Sequence, residues 1–194
     1  MILYAIHVRE LQSIRVRRCT QFSDDMEKAI EAGNLENVKW ISHQNNEWKE
    51  KRNNYLGLAA RNGHLEVLKW LFFALGLGSS CENCGWLYEY AAMSGSLEIC
   101  TWLFENGAPL DSRSFNGVVY TGSVEVMEWC LHNGGVFNDR TFYLAAMGYS
   151  VKIEVLAWLK LNDCPWGFLS LREARRGCAN SSVMTWLRNN GCPE

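Results

Sequence analysis

The stretch Gly63-His64-Leu65-Glu66-Val67-Leu68-Lys69-Trp70-Leu71 decides the fold, because copies of it recur along the chain. Residues 33–41, 95–103 and 122–130 repeat its order of glycine, polar residue, apolar residue, glutamate and tryptophan, and residues 153–159 and 181–187 are weaker copies. Six of the nine tryptophans therefore lie 30, 32, 27, 29 and 28 residues apart. A repeat of this length is typical of a solenoid, in which no single unit can bury its own apolar face.

The composition favours an ordered protein inside the cell. Hydrophobic residues make up 48% of the chain, charged residues 21%, and the net charge is -2. The net charge therefore gives no indication of a nucleic-acid or membrane partner. No apolar run reaches the roughly 18 residues of a membrane span, and His7 and Arg9 interrupt the apolar start too early for a signal peptide. We expect an intracellular, cytoplasmic protein, with the nucleus possible, and eight reduced cysteines.

Each unit reads as two helices with a glycine between them. The first helix carries a pair of small or β-branched residues, which are Ala59-Ala60, Ala91-Ala92, Val118-Val119 and Ala145-Ala146. A glycine ends it, and Asn34, Ser96 or Ser123 then caps the second helix. Glutamate in the first turn complements the dipole of the second helix. We expect the repeated tryptophans to be core residues, burying about 900–1,500 Å² in all.

The two ends of the chain differ from the other units. Residues 1–25 do not match the repeat, and they place Leu11, Ile14 and Val16 among four arginines. We interpret them as an amphipathic capping segment; the alternatives are a basic arm that binds nucleic acid or acts as a nuclear signal, disorder, and a degenerate repeat. Residues 26–194 form the repeat domain of about six units, and its last unit is polar, as a cap requires.

Residues 56–71 resemble the two helices of an ankyrin repeat. Their Ala-Ala pair, the Gly63-His64 step, the Leu-Glu-Val start and a closing Asn106-Gly107-Ala108 all follow ankyrin order. The resemblance covers roughly residues 26–192. The tryptophan of the second helix and Cys164-Pro165-Trp166 are similar to a divergent subtype common in large DNA viruses, algae and oomycetes. The resemblance implies an all-α, ankyrin-like helical-repeat solenoid that binds other proteins.

The chain departs from the ordinary ankyrin pattern in two respects. The Thr-Pro-Leu-His opening is absent from every unit; in the second unit, for example, residues 54–57 read Asn-Tyr-Leu-Gly. The spacing of the repeated tryptophans also falls short of 33 residues. We therefore expect short or absent β-hairpin fingers. A tetratricopeptide array is the rival architecture, but its helices are longer and its tryptophan lies in the first helix.

No pattern of catalytic or cofactor-binding residues stands out, so we expect no enzyme activity, cofactor or small-molecule substrate. The four histidines neighbour no matching Cys, Asp or Glu pattern, and no phosphate loop or nucleophile elbow occurs. Cys81 and Cys84 form a lone Cys-x-x-Cys, which is a weak signal for metal binding or redox chemistry. A metal- or redox-dependent protein is one alternative function, and a ubiquitin-ligase substrate adaptor, suggested by analogy alone, is another.

The predicted function is a protein–protein interaction module that binds an unidentified partner protein on a concave face. In the ankyrin family the variable contact positions follow the small pair of the first helix and lie on the connectors. The corresponding residues are Arg61, Asn62, Met93, Ser94, Tyr120, Thr121 and Met147, with Glu82, Asn83, Asp111, Arg113, Asn138 and Arg140 on connectors. Exposed Tyr, Met and Arg suit an interface hot spot.

Overall fold

The computed structural model describes residues 24–44, 46–77, 83–147, 151–177 and 181–194. The chain separates into two compact units, Met1–Gly76 and Leu77–Glu194. Of the predicted capping segment 1–25, only Asp24 and Asp25 are described, and both already belong to the first helix. The described residues contain helices and no strand. This confirms an all-α, ankyrin-like helical-repeat fold.

Unit 1 contains two helix pairs joined by a short 3-10 helix. Its elements are α1 (24–31), α2 (Leu35–Gln44), the 3-10 helix (Asn46–Lys51), α3 (Arg52–Arg61) and α4 (Leu65–Ala74). Helix α4 packs on both α2 and α3. The second helices therefore contact each other from one pair to the next, as they do in stacked repeats.

Unit 2 contains four more pairs. They are α5 (Leu87–Ser94) with α6 (Leu97–Glu105), α7 (Ser112–Thr121) with α8 (Val124–His132), α9 (Thr141–Met147) with α10 (Ile153–Leu161), and α11 (Leu171–Gly177) with α12 (Ser181–Asn189). Helices α5, α7, α9 and α11 pack side by side in that order, and α6 packs on α8. We call α5, α7, α9 and α11 the first-helix layer.

A glycine with positive φ separates the two helices of several pairs, as the sequence predicts. Gly95 (φ 69°) and Gly122 (φ 73°) directly follow α5 and α7 in the left-handed conformation. Asp163, which follows α10, the second helix of its pair, has the same left-handed conformation, with φ 56°. The chain thus turns within two residues, which keeps the helices of a pair in contact.

The predicted capping of the second helices is only partly present. The Asn34 side chain accepts a hydrogen bond from the Asn37 amide at 3.0 Å, and Ser96 accepts one from the Ile99 amide at 3.3 Å. The side chains of His64 and Ser123 make no capping bond. His64 instead lies with its Nε2 2.9 Å from the Glu31 carbonyl oxygen, so it links α4 to the end of α1.

The prediction that the repeated tryptophans are core residues is wrong. Trp40 is 66% exposed, and the remaining five (Trp70, Trp102, Trp129, Trp158 and Trp186) are half-buried. In α4, α6, α8, α10 and α12 the buried positions lie three and two residues before the tryptophan and one after it. At about 100° per residue, the tryptophan stands roughly 100° from the centre of that buried stripe. It therefore lies at the edge of the helix–helix contact.

The half-buried tryptophans pack on aromatic side chains from elsewhere in their own unit of the structure. Ring centroids lie 5.9 Å apart for Trp48 and Trp70, and 6.3 Å apart for Phe137 and Trp158. The Trp158 indole also donates to Glu128 Oε1 at 3.1 Å. These rings therefore join successive helix pairs rather than fill a pair's interior.

Both helices of each pair contribute to the core, and the first helix contributes two kinds of residue to it. The small pairs are buried as predicted, and an apolar residue three positions before each pair is buried as well. In unit 2 these residues are Tyr88, Phe115, Phe142 and Leu171, at 0–5% exposure, and Leu56 is the counterpart in unit 1. The small pair lets neighbouring helices approach, and the large side chain fills the space one turn earlier.

Candidate partner-binding surface

The C-terminal ends of the first helices in unit 2 carry several predicted contact residues. Met93 is 38% exposed, and Tyr120 and Thr121 are half-buried. Since α5 and α7 pack side by side in the first-helix layer, these ends succeed one another along its edge. The side-chain hydroxyls of Ser94 and Thr121 donate to carbonyl groups three residues earlier, at 2.9 and 2.7 Å. The edge is thus ordered by its own helices.

Met147 directly follows the small pair of α9, as predicted, but its side chain packs against another helix. A Cβ added at Gly177 would lie 2.2 Å from the Met147 sulfur, so the thioether rests against the backbone of α11. The side chain is half-buried. Met147 therefore joins α9 to α11 and offers only part of its surface to a partner.

Arg61 and Asn62 lie in unit 1, at the end of α3. Both are exposed. The Asn62 amide donates to the Leu58 carbonyl at 2.9 Å and closes the helix, while Arg61 extends from its last turn. These two residues form a candidate surface of their own.

The connector residues Arg113 and Arg140 lie at the start of α7 and α9. Both are exposed, and each follows a side chain that caps its helix. Asp111 accepts hydrogen bonds from the amides of Arg113 and Ser114, both at 2.9 Å. These bonds, above all the one from the Ser114 amide, lower the pKa of Asp111 below its usual value. Asn138 accepts from the Arg140 amide at 2.9 Å in the same way.

A buried polar network behind these connectors was not predicted. Asn116 donates through Nδ2 to Asn138 Oδ1 at 3.1 Å and accepts from the Thr141 hydroxyl at 2.9 Å. The Asn138 amide donates to that hydroxyl at 2.9 Å, and Thr141 is fully buried. The network links α7 to the start of α9. A signal existed in the sequence, because Asp111-Ser112-Arg113-Ser114-Phe115 and Asn138-Asp139-Arg140-Thr141-Phe142 are copies of one another.

Of the remaining connector candidates, Asn83 is exposed and Glu82 lies outside the described residues. Cys81 lies outside them too. Cys84 is buried and disulfide-bonded, so the expectation of a free thiol at this position is wrong. The structure leaves the functional role predicted for the Cys81–Cys84 pair as an untested alternative.

Within the part of the chain that the structure describes, the free cysteines are Cys100, Cys130, Cys164 and Cys192, and all of them are buried. Burial raises the pKa of Cys100 to about 12 and that of Cys164 to about 12. At neutral pH these thiols stay protonated, and a protonated thiol is a poor nucleophile. They therefore act as small apolar core residues, as the sequence predicts for Cys100 and Cys130.

The histidines that are described serve the backbone. His43 and His132 each hold a ring Nδ1 close to the carbonyl oxygen four residues earlier, at 2.6 and 2.7 Å. His64 bridges two helices, as described above, and His7 lies outside the described residues. Within the described ranges, no group of three or more His, Cys, Asp or Glu side chains is placed to hold a metal ion.

None of the described helices has both the length and the apolar character that a membrane-spanning helix requires. This agrees with the short helices of 7 to 10 residues seen throughout both units.

Comparison with protein families matches residues 26–114 to the model for ankyrin repeats, in three copies. Comparison with curated proteins finds no match. Ankyrin repeats are generally protein–protein interaction modules. The tryptophan-rich viral and algal subtype stays a prediction, and residues 115–194 lie beyond the matched range while continuing the same paired helices. Residues 26–114 therefore carry ankyrin repeats, and the paired helices that follow continue the same helical-repeat fold.

Proposed function

We propose that this chain is a non-catalytic binding module and that a partner protein lies across the first-helix layer of unit 2. The observation that carries the proposal is the row of ordered helix ends bearing Met93 and Tyr120. Methionine adapts to irregular partner surfaces, and tyrosine supplies a large contact area at low entropic cost.

The layer is held in place before any partner arrives. The Asn116–Asn138–Thr141 network joins α7 to α9, and Tyr88 donates through its hydroxyl to the Ala108 carbonyl at 3.2 Å, joining α5 to the connector before α7. Side chains and helices held by such bonds lose little freedom on binding. A preformed surface therefore converts more of its contact energy into affinity.

Arg113 and Arg140 extend this surface toward the connectors, and Arg61 with Asn62 offers a separate contact in unit 1. Arginine is enriched at interface hot spots because its guanidinium can form several directed hydrogen bonds. We expect the arginines at the connectors to determine which partner binds. We further expect the protein to work inside the cell, in the cytoplasm or the nucleus.

The proposal is tested by affinity capture from cell extract, read by mass spectrometry. A Met93→Ala/Tyr120→Ala variant is compared with wild type and with Leu161→Ala, which removes a side chain that is 83% exposed on α10, outside the first-helix layer. We expect a protein captured by wild type and Leu161→Ala to be lost from the double variant, with all three melting temperatures alike.

A partner retained equally by all three proteins would show that the first-helix layer is not the binding surface. Arg61→Ala is tested separately, because Arg61 lies in unit 1. Loss of the partner with this variant alone would move the interface to the end of α3.

A further inference from the structure

A cavity of about 270 Å³ lies within unit 2, between the first turns of α5 and α7. Trp86 and Glu89 border it from α5, and Asp111, Ser114 and Gly117 border it from α7 and its connector. We call it the Glu89 cavity. It lies at the opposite ends of α5 and α7 from Met93 and Tyr120, beside the connector residue Arg113.

Gly117 makes the cavity possible. It stands inside α7, one residue before the small pair, where the other first helices carry Leu58, Tyr90 or Leu144. A glycine within a helix costs about 0.5–1 kcal/mol relative to alanine. A Cβ at residue 117 would lie 2.9 Å from the Glu89 Cβ and 3.1 Å from its Oε2. The glycine thus gives Glu89 room to lie against α7.

Glu89 occupies the position that Asn116 occupies one helix pair later, two residues before the small pair. Asn116 closes its contact by bonding Asn138 and Thr141. The residues corresponding to Asn138 and Thr141 are Asp111 and Ser114. Glu89 and Asp111 are both carboxylates, and at neutral pH neither has a proton to donate to the other. The hydrogen bond between Asn116 and Asn138 therefore has no equivalent between Glu89 and Asp111. An open cavity takes its place.

The charge of Glu89 is left without a partner. It forms no hydrogen bond or ion pair with any residue in the described ranges, and burial raises its pKa. Asp111 pairs with Arg113, whose Nη2 lies 3.2 Å from Oδ2 while the arginine side chain is 90% exposed. Arg113, which lines the cavity as well, is therefore already paired with Asp111. A cation entering the cavity would compensate Glu89 directly.

The lining favours an organic cation over a metal ion. Within the described ranges no group of three or more His, Cys, Asp or Glu side chains is placed to hold a metal ion, and Glu89 and Asp111 are the two carboxylates among the lining residues. The indole of Trp86 forms an apolar aromatic wall that suits a guanidinium group, and a guanidinium forms two parallel bonds with a carboxylate.

We propose that the Glu89 cavity receives an arginine side chain of the partner protein, with Glu89 as its counter-ion. The inference rests on the proposed function, because it assigns the chemistry of a segment of that partner. The partner segment would lie along the connectors and place its arginine between Trp86 and Gly117.

The test uses the full chain, labelled with ¹⁵N, and N-acetyl-arginine-amide as the probe. N-acetyl-citrulline-amide is the matched control, because citrulline has nearly the same shape without the charge. We expect arginine to shift the Trp86 indole signal and the Gly117 amide signal, and citrulline to bind about tenfold more weakly. Equal shifts with both compounds, or no shift at these groups, would overturn the proposal.

Two variants locate the site. Glu89→Gln removes the counter-ion and should abolish the arginine shifts, whereas Glu98→Gln, at an exposed glutamate on α6, should leave them unchanged. Gly117→Ala places a Cβ 2.9 Å from the Glu89 Cβ, so it displaces the Glu89 side chain and should also abolish them. If Glu89→Gln fails to fold, Gly117→Ala still decides the outcome.

A third titration, with calcium chloride, separates the two kinds of cation. Shifts of Trp86 and Gly117 that calcium causes and Glu89→Gln abolishes would assign the cavity to a metal and overturn the arginine proposal. A partner captured through Met93 and Tyr120 but insensitive to Glu89→Gln would leave the proposed function standing and refute this inference alone.

Discussion

At the residue scale, the contact edge and the interior of each helix pair use different aromatic side chains. Trp129 packs at the edge, with its ring 5.9 Å from Phe104 and 6.3 Å from Tyr88. Phe115 lies one turn before a small pair and is fully buried. The tryptophan is therefore the residue that marks the repeat most clearly in the sequence, but it is not the most buried residue in the structure.

This difference predicts the order of two stability losses. Phe115→Ala should lower the free energy of unfolding by about 3–5 kcal/mol, because it leaves a cavity in the core. Trp129→Ala should cost less, about 1–3 kcal/mol, because it removes two edge contacts worth about 0.5–1.5 kcal/mol each. Urea unfolding followed by circular dichroism measures both. A Trp129→Ala loss equal to that of Phe115→Ala would place the tryptophan in the core.

Gly33 combines two constraints that most glycines of the chain meet singly. Its φ is +67°, and a Cβ there would lie 2.7 Å from His64 Nδ1. Gly76, in the same unit, has φ +65° and nothing within 4 Å of its added Cβ. Gly76→Ala should therefore cost only the left-handed strain, about 1–2 kcal/mol.

Gly33→Ala should cost more than Gly76→Ala, because it also pushes the His64 ring from the Glu31 carbonyl. The measurement is the melting temperature of both variants, together with the NMR signals of the His64 ring. Equal melting temperatures and an unmoved ring would show that the contact between His64 and Gly33 contributes nothing to stability.

At the element scale, the contacts between first helices depend on buried hydrogen bonds that differ from one pair to the next. Thr141 donates to Asn116 and accepts from the Asn138 amide, both at 2.9 Å. Thr141→Val keeps the shape but removes both bonds, leaving the backbone amide of half-buried Asn138 and the side-chain oxygen of buried Asn116 without these partners. We expect a loss of about 1–3 kcal/mol in the free energy of unfolding.

The matched control is Thr185→Val on α12. Thr185 is exposed, and its hydroxyl donates only to the Ser181 carbonyl of its own helix, at 2.9 Å. This change should stay within about 0.5 kcal/mol of wild type. A similar small loss for Thr141→Val would mean that the network does not hold α7 and α9 together.

The sequence predicts the elements well because their signals are local. The glycine between helices, the small pair and the glutamate in the first turn all depend on the chain's own backbone, and each lies where it was predicted. The burial of Trp40 or Trp70 depends instead on how the neighbouring helices pack against the helix that carries it. The sequence of the repeat does not specify that packing directly. The same holds for the Glu89 cavity, which becomes visible only when Glu89 and Asn116 are compared within the packed layer.

Exposure at the candidate positions is predictable, because a repeat fixes which turn faces outward. The positions after the small pairs are exposed or half-buried, and their role as a binding surface stays a prediction. Met147 could not be foreseen as a packing residue, because its contact depends on Gly177 in the following first helix. Contacts between successive pairs are thus the part that a repeat pattern leaves undetermined.

At the scale of the whole molecule, stability should follow nearest-neighbour contacts within unit 2. Helix α7 packs on α5, α8 and α9, whereas α12 packs chiefly on α11. In a repeat array each element is stabilised mainly by its direct neighbours, so local damage need not spread through the whole unit. Substitutions in α7 and in α12 should therefore expose different parts of the chain.

Hydrogen exchange measured by mass spectrometry tests this expectation. Phe115→Ala should accelerate exchange in α5, α7, α8 and α9 and leave α12 close to wild type. Leu187→Ala, which removes a fully buried side chain of α12, should do the reverse and accelerate exchange in α11 and α12 while α5 stays protected. Uniform acceleration across residues 83–194 by either variant would contradict the nearest-neighbour view, because it would mean that the four pairs open only together.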